Sequence, residues 1–525
     1  MTEQHADVIV IGSGIGGLTV ASLMAQLAHK RVLVLERHFK LGGFTHSFSR
    51  PGNRSWDVGL HYVGEVENGS MARDIFDLIT QQQVQWQKMD SPFEKFVYPD
   101  MTLEVPDEEE AYQAALMEMF PHEVDAIRTF FADVCTARKW LQVYTLIQLM
   151  PKRVGPLLRV VFRGKEKLAL SLTGTYLKRR FRDPRLRAIL ASQWGNYGLP
   201  PSKSAFLIHA AIVGHYLNGG YYPVGGASTI ANSIASVIEK YGGRCLVNHT
   251  VTDILLKDGK AIGVKALAGS GTRAEEVVYY APVIVSAAGA YTTLCKLLPP
   301  CVAGLLAKEV ERLSQDSFSA VTVYLALKDS PKTVGLTAAN HWLFSSMDHD
   351  DMYRRAEQIL DGRPAYCFLS FPSLRNPQAT SHTAEIIAPL PYHVVAQWRE
   401  RPWKRRGEDY EALKRRVAET LLSFVEAYFP GFKSLVDAWE VSTPLTIETF
   451  TGHRFGAMYG LPATPERYCL SGLRVQTPVP NVYLTGADVI SPGIVGAMMG
   501  GVTTAAHLMG INGFYRIMTA AKHLK

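Results

Sequence analysis

Two continuous apolar runs, Asp7–Ile11 (DVIVI) and Arg31–Leu35 (RVLVL), stand either side of a glycine-rich turn and a helical stretch. A strand buried on both faces is apolar throughout, not alternating, so each run predicts a strand inside a parallel sheet. Between them Gly12-Ser13-Gly14-Ile15-Gly16-Gly17 opens a helical pattern through Leu18, Ala21, Leu23, Met24 and Leu27. A G-x-G-x-x-G turn between strand and helix is the opening of a β-α-β dinucleotide-binding unit, and it constrains the fold more than any other feature of the chain. Gly12 permits the tight bend, Gly14 lets backbone amides approach a pyrophosphate, and Gly17 lets the helix close on the strand. Ser13 and Gly16 complete the same binding turn. Glu36 lies 19 residues beyond Gly17, close to the spacing of a carboxylate that grips ribose hydroxyls. An acid there repels a 2′-phosphate, so the expected nucleotide is FAD or NAD and not NADP.

The other end of the chain narrows that choice. Gly42-Gly43 begins a second turn six residues after Glu36, too close to be another nucleotide fold. Near the C-terminus the buried run Val482–Thr485 leads to Gly486, Asp488, then Pro492-Gly493-Ile494-Val495-Gly496. A strand, a glycine, an acid and a helix opening on glycines suit the ribityl-phosphate half of a flavin. Asp488 can accept hydrogen bonds from ribitol hydroxyls. The helix starting near Ile494 can aim its N-terminal dipole at the flavin edge where negative charge gathers on reduction. The expected cofactor is FAD, bound tightly and without a covalent bond. With one dinucleotide fingerprint in the chain, NAD(P)H is expected only as a transient reductant.

Between these ends, residues 71–210 read as mostly helical, and GGYYPVGG (219–226) is a cluster of turn signals. Ala227–Tyr241 carries an amphipathic helical pattern, and Asp258-Gly259 marks a hairpin between short strands. Pro282–Ala288 is another buried strand, residues 318–390 look like sheet, and Glu408–Tyr428 is a long helix. The dinucleotide elements come in at least three separated pieces. The expected fold class is therefore α/β: a Rossmann-like FAD domain of the glutathione-reductase type built from discontinuous segments, with an inserted α+β substrate domain. The boundaries expected are 1–70, 219–305 and 461–525 for the FAD domain, 71–218 for a mostly helical substrate and membrane-facing part, and 306–460 for a sheet-plus-helix substrate part.

Composition excludes other classes. With 525 residues, 47% hydrophobic and 20% charged, the chain is neither disordered nor a small disulfide scaffold. The six cysteines (Cys135, Cys245, Cys295, Cys301, Cys367, Cys469) form no C-x-x-C pair, and no metal site is expected. Thr2, Glu3 and Gln4 lead straight into the first strand, which predicts no secretory leader and a cytoplasmic setting. The longest uncharged stretches, 205–238 and 489–515, are broken by Gly, Pro, Asn and His, so no bilayer span is expected. Charge is uneven: net +7 overall, yet fourteen Lys and Arg stand against only Glu166 and Asp183 within 138–187. Apolar residues such as Trp140, Leu146, Leu157, Val160 and Val161 are interleaved there. This segment predicts contact with an anionic membrane surface; a solvated basic face is the alternative, and nucleic acid is disfavoured because no binding motif accompanies it.

Taken together, DVIVIGSGIGGL…RVLVLE, Gly42-Gly43, WDVGLHYVG (56–64), GGYYPVGGAS (219–228), TPLTIETFTGHRFGAMYG (443–460) and LTGADVISPGIVGAMMGG (484–501) resemble the phytoene desaturase superfamily. The nearest branch is that of retinol saturases and carotenoid cis-trans isomerases. The resemblance implies an FAD enzyme acting on C=C bonds of a long apolar polyene or isoprenoid lipid at a membrane surface. It places FAD contacts on Gly12, Gly14, Gly17, Glu36, Arg37, Gly43, Val251, Gly486, Asp488, Ile494 and Val495, and Gly42, Ala288 and Gly493 join them from the same turns. Saturation is the favoured direction, with desaturation and redox-neutral isomerisation open. An amine oxidase and a non-catalytic prenyl-lipid carrier are remoter alternatives. Candidate catalytic residues are His61 or Tyr62, from a strand expected beside the flavin ring, and His453 and Arg454 in the turn TGHRFG. His46, just after the second glycine pair, is a further candidate. No Ser-His-Asp set, H-E-x-x-H or phosphate-binding P-loop is present.

Overall fold

The computed structural model describes residues 4–269, 271 and 274–524. Thr2 and Glu3, on which the leader expectation rests, and the side chain of Cys301 lie outside the described residues.

Both apolar runs are strands, Val8–Ile11 and Val32–Leu35, and every residue in them is buried. They pair in parallel at the centre of a five-stranded sheet ordered Arg244–Leu246, Val32–Leu35, Val8–Ile11, Ile284–Ser286, Val482–Leu484. All four pairings are parallel, so the glycine turn and the other loops that follow the strands gather at one edge of this sheet, where ligands bind in such folds. The helices Ile15–Ala28 and Ile494–Leu508 pack on each other against it. That contact rests on glycine: a Cβ on Gly16 would stand 2.5 Å from Gly486 Cα, and one on Gly501 2.5 Å from the Gly16 carbonyl oxygen.

A second sheet of seven strands lies over this edge, ordered Val436–Ser442, Ala320–Leu327, His382–Pro389, Tyr366–Ser370, Asn340–Phe344, Glu94–Tyr98, Met101–Val105. Its last two strands correct the expectation for 71–210. That segment is helical from Glu109 onward, but Glu94–Tyr98 and Met101–Val105 form a hairpin whose buried and exposed residues alternate. The hairpin joins the substrate sheet because its apolar face, Phe96, Tyr98 and Leu103, has the large aromatic core to bury against.

Other elements fall close to expectation. The helices Ser228–Lys240 and Glu408–Tyr428 form. The strands His249–Lys257 and Lys260–Ala268 pair antiparallel around Asp258 (φ 50°) and Gly259 (φ 74°), the left-handed conformations a two-residue hairpin needs. Arg244–Leu246 leaves that hairpin for the edge of the parallel sheet. The basic segment is divided. Trp140, Tyr144 and Ile147, on one stripe of the helix Val124–Leu149, are core. In the next helix, Gly155–Val161, Leu157, Val160 and Val161 are 63–70% exposed. Among the described residues no helix is long and apolar enough to cross a membrane.

Candidate functional site

A cavity of about 950 Å³ separates the two sheets and opens to solvent. Its nucleotide half is built from the predicted turns. Gly12, Gly14, Gly16, Glu36, Arg37, Gly42, Gly43, Val251, Ala288, Gly486, Asp488, Gly493 and Ile494 all line it. Gly12 (φ 93°) makes the bend that ends Val8–Ile11, and Gly43 is brought so close to Gly14 that a Cβ on it would stand 3.1 Å from Gly14 Cα.

Glu36 closes the strand Val32–Leu35 and is buried. Its Oε2 accepts from the Ser13 amide (2.8 Å) and the Ser13 hydroxyl (2.7 Å), and its Oε1 from the His38 amide (2.7 Å). At the far end, Asp488 Oδ2 accepts from the Ala290 amide (2.7 Å) and Oδ1 from the Leu461 amide (2.8 Å). Burial lowers the neighbouring Arg37 guanidinium from its ordinary value, against the pull of Glu36.

These residues fit FAD. A Cβ on Gly14, Gly486 or Gly493 would meet nothing within 4 Å, so the backbone at all three faces open cavity. The helices starting at Ile15 and Ile494 have no side-chain cap and no acid in their first turns. Their leading amides and positive dipole ends are left for a diphosphate at one helix and an anionic ring edge at the other.

Three predicted binding residues sit behind this lining. Ser13 is fully buried and spends its hydroxyl on Glu36 and the Gly42 amide. Gly17 is packed so tightly that a Cβ would lie 2.3 Å from the Gly12 carbonyl oxygen. The Val495 side chain packs against the core, and its amide remains in the exposed first turn of its helix.

The inner half of the cavity is walled by aromatic rings from the seven-stranded sheet and its neighbours, chiefly Phe318, Trp342, Tyr366, Phe368 and Tyr459. His61 faces this half. Its Nδ1 stands 2.7 Å from Glu385 Oε2, and its ring lies 5.4 Å from that of Phe368. His453 also lines the cavity, its Nδ1 2.8 Å from the Ala457 carbonyl oxygen. His46 does too, its Nδ1 2.5 Å from the Gly43 carbonyl oxygen, and burial lowers its proton affinity.

Two catalytic candidates point elsewhere. Tyr62 stacks on Tyr216 at 4.2 Å and donates to Glu94 Oε1 at 2.6 Å, within the core. The expected strand ends at Asp57, and of the two consecutive side chains that follow, His61 takes the cavity side and Tyr62 the core side. Arg454 lies over the Tyr291 ring at 4.6 Å and donates to Ser314 Oγ at 3.1 Å, beside a small side pocket outside the main cavity.

The residues behind His61 went unnoticed in the sequence. Glu385 is fully buried mid-strand in His382–Pro389, and its Oε1 accepts from the Asp57 amide at 2.9 Å. Buried Arg375 donates to the His61 carbonyl oxygen and to Ser370 Oγ. Glu94 accepts from Tyr62, from Trp342 Nε1 (2.6 Å) and from Gln193 (2.7 Å), fixing one wall of the cavity. The signal available was a lone acid inside an apolar strand, as in AEIIAPL, since a charge is buried only where partners await it.

The geometry agrees with comparisons to known proteins. The family model for flavin-containing amine oxidoreductases matches residues 15–509. The chain belongs to that family. Within it, the chain is 33% identical to human all-trans-retinol 13,14-reductase, over 96% of this chain and 86% of the relative. It is 27% identical to prolycopene isomerase 2 of an Oncidium hybrid cultivar, over 97% of this chain and 85% of that one. Among solved structures, cyclohexylamine oxidase from Brevibacterium oxydans shares the fold at 16% identity and a TM-score of 0.60, covering 99% of both chains. This flavin oxidoreductase is thus built on the amine-oxidase fold, with a sequence of the retinol saturase and carotenoid isomerase branch.

Proposed function

We propose that the protein adds two hydrogens across a C=C bond of a long conjugated polyene of the retinoid or carotenoid class. The observation that carries this reading is the 33% identity with all-trans-retinol 13,14-reductase along nearly the whole chain. The aromatic inner cavity supports it, because a flat, apolar chain is held there by ring contacts and excluded from water. FAD, held without a covalent bond between the Gly12–Gly17 turn and the helix starting at Ile494, supplies the hydride when reduced. Glu36 orients the ribose end through the turn it fixes, and Asp488 positions the loops about the ribityl end. The reductant is an external two-electron donor of the reduced-nicotinamide type, which visits and leaves.

The protein reaches its lipid substrate at a membrane surface. Leu157, Val160 and Val161 project from the helix Gly155–Val161, with Lys152, Arg153, Arg163 and Lys167 exposed around them. Apolar side chains ringed by cations match an anionic lipid interface.

The deciding experiment is product mass. The FAD-loaded protein is incubated anaerobically with retinol and with a linear carotene, with and without reductant. A reductant-dependent gain of two hydrogens is expected. Loss of two hydrogens makes it a desaturase. Changed retention at equal mass makes it an isomerase, the reading that the likeness to prolycopene isomerases favours.

A further inference from the structure

The ionic cluster behind His61 has a composition that the cavity lining alone does not explain. Glu385 Oε2 and His61 Nδ1 are both buried, 2.7 Å apart, and neither has another hydrogen-bond partner. Each therefore depends on the other for satisfaction. The remaining groups are committed. Asp57 Oδ1 accepts from Ser47 Oγ (2.8 Å) and the Ala227 amide (3.0 Å), and its Oδ2 from the Tyr222 hydroxyl. Arg375 grips the His61 backbone and lies over the Tyr222 ring. The next residue, Tyr62, is turned away towards Glu94. Two carboxylates and one guanidinium leave one negative charge uncompensated behind the cavity wall, and a proton on the His61–Glu385 pair cancels it. Burial raises the proton affinity of Glu385, and His61 partly offsets this.

We propose that Glu385 is a positioning residue that holds the Nδ1–H edge of His61, leaving Nε2 to face the cavity as the proton source for the reduction. This rests on the proposed function. His61 Nε2–H gives its proton to the alkene carbon that does not take the hydride. The π pair becomes the new C–H bond, the ring is left neutral, and water entering from the cavity mouth restores the proton. The two electrons of the hydride come from the external two-electron donor, reduced nicotinamide or dithionite. Arg375 fixes the His61 main chain, so the imidazole is anchored from both its backbone and its ring.

The first test needs no turnover. In protein labelled with ¹⁵N-histidine, assigned by the missing signal of His61→Asn, His61 is expected to show a protonated Nδ1 at neutral pH. A ring protonated only at Nε2 overturns the proposal in the wild-type protein, whatever the substrate. Glu385→Gln keeps the volume and, with its carbonyl oxygen on the Asp57 amide, turns its NH2 towards His61 Nδ1, so the Nδ1–H signal is expected to be lost with FAD content unchanged. A retained Nδ1–H signal overturns the positioning role. In turnover with retinol, Glu385→Gln is expected to lower kcat with KM held. His61→Asn is expected to lower kcat about 100-fold or more, the usual contribution of a placed proton donor. Full activity in His61→Asn overturns the donor role. A wild-type protein that reduces no polyene overturns the functional reading and the donor role with it, while the Nδ1–H signal still judges Glu385.

Discussion

The Ser13 hydroxyl donates to Glu36 Oε2 across 2.7 Å, and the same oxygen accepts from the Gly42 amide at 3.0 Å. One buried hydroxyl thus ties together the first glycine turn, the acid at the end of the neighbouring strand and the second glycine pair. The acid and both glycine turns are thereby held as a single piece.

Loss of that tie is expected to loosen FAD. Ser13→Ala removes one buried hydrogen bond to the Glu36 carboxylate and Glu36→Ala removes three; one such bond is worth about 1.5–3 kcal/mol, or roughly 10- to 100-fold in flavin affinity. Flavin content after gel filtration and the Kd from fluorescence quenching measure it. Unchanged retention in Glu36→Ala would argue against a ribose-orienting role.

Two neighbouring glycines are expected to fail differently. Gly14 faces open cavity, so Gly14→Val folds with a near-normal Tm but purifies colourless. A Cβ on Gly16 would stand 2.8 Å from the Ala497 carbonyl oxygen in the facing helix, so Gly16→Val forces two helices apart and costs about 1–3 kcal/mol, seen as a lowered Tm even without flavin. A normal Tm in Gly16→Val would contradict the packing described.

Membrane contact is tested by co-sedimentation with vesicles of phosphatidylcholine and phosphatidylserine. Wild type is expected to pellet at low salt and to be released as ionic strength rises. Leu157→Asp combined with Val160→Asp should abolish pelleting while leaving flavin content intact. Equal pelleting by the variant would return the segment to an ordinary solvated face.

Acid is expected to destabilise the fold through buried neutral histidines. Burial depresses His349 to about 4, and His209 and His341 to about 3. His349 is locked: Trp194 Nε1 donates to its Nδ1 at 3.0 Å, and its Nε2 lies 2.8 Å from the Ala188 carbonyl oxygen. The unfolded chain takes up protons at these rings below pH 6.5 and the folded chain does not. Stability is therefore greatest above pH 6.5 and falls towards pH 4, by about 1.4 kcal/mol per pH unit for each ring. Chemical denaturation across that range measures the slope, and His209→Gln should flatten it.

Much of the nucleotide half was legible because its physics is local. A bend needing Gly12, an approach needing Gly14 and an acid at fixed distance leave their marks within 36 residues. The inner half was not, because its partners meet only after folding: Glu385 reaches His61 across 324 positions of chain, and Arg375 reaches the same residue from a third place. Tyr62 was misplaced for a related reason. Sequence offers the pair His61-Tyr62, while the side each takes is decided by Glu385 on one flank and Glu94 on the other.

The parallel sheet also fixes an order of events during synthesis. Its two central strands lie within Val8–Leu35, yet the edge strand Val482–Leu484 and the helix Ile494–Leu508 are synthesised more than 400 residues later. Until then Ile284–Ser286 has one side of its backbone unpaired, an edge open to wrong partners. The cavity lined by both Gly12 and Ile494 is therefore complete only once the late segment has found the early one.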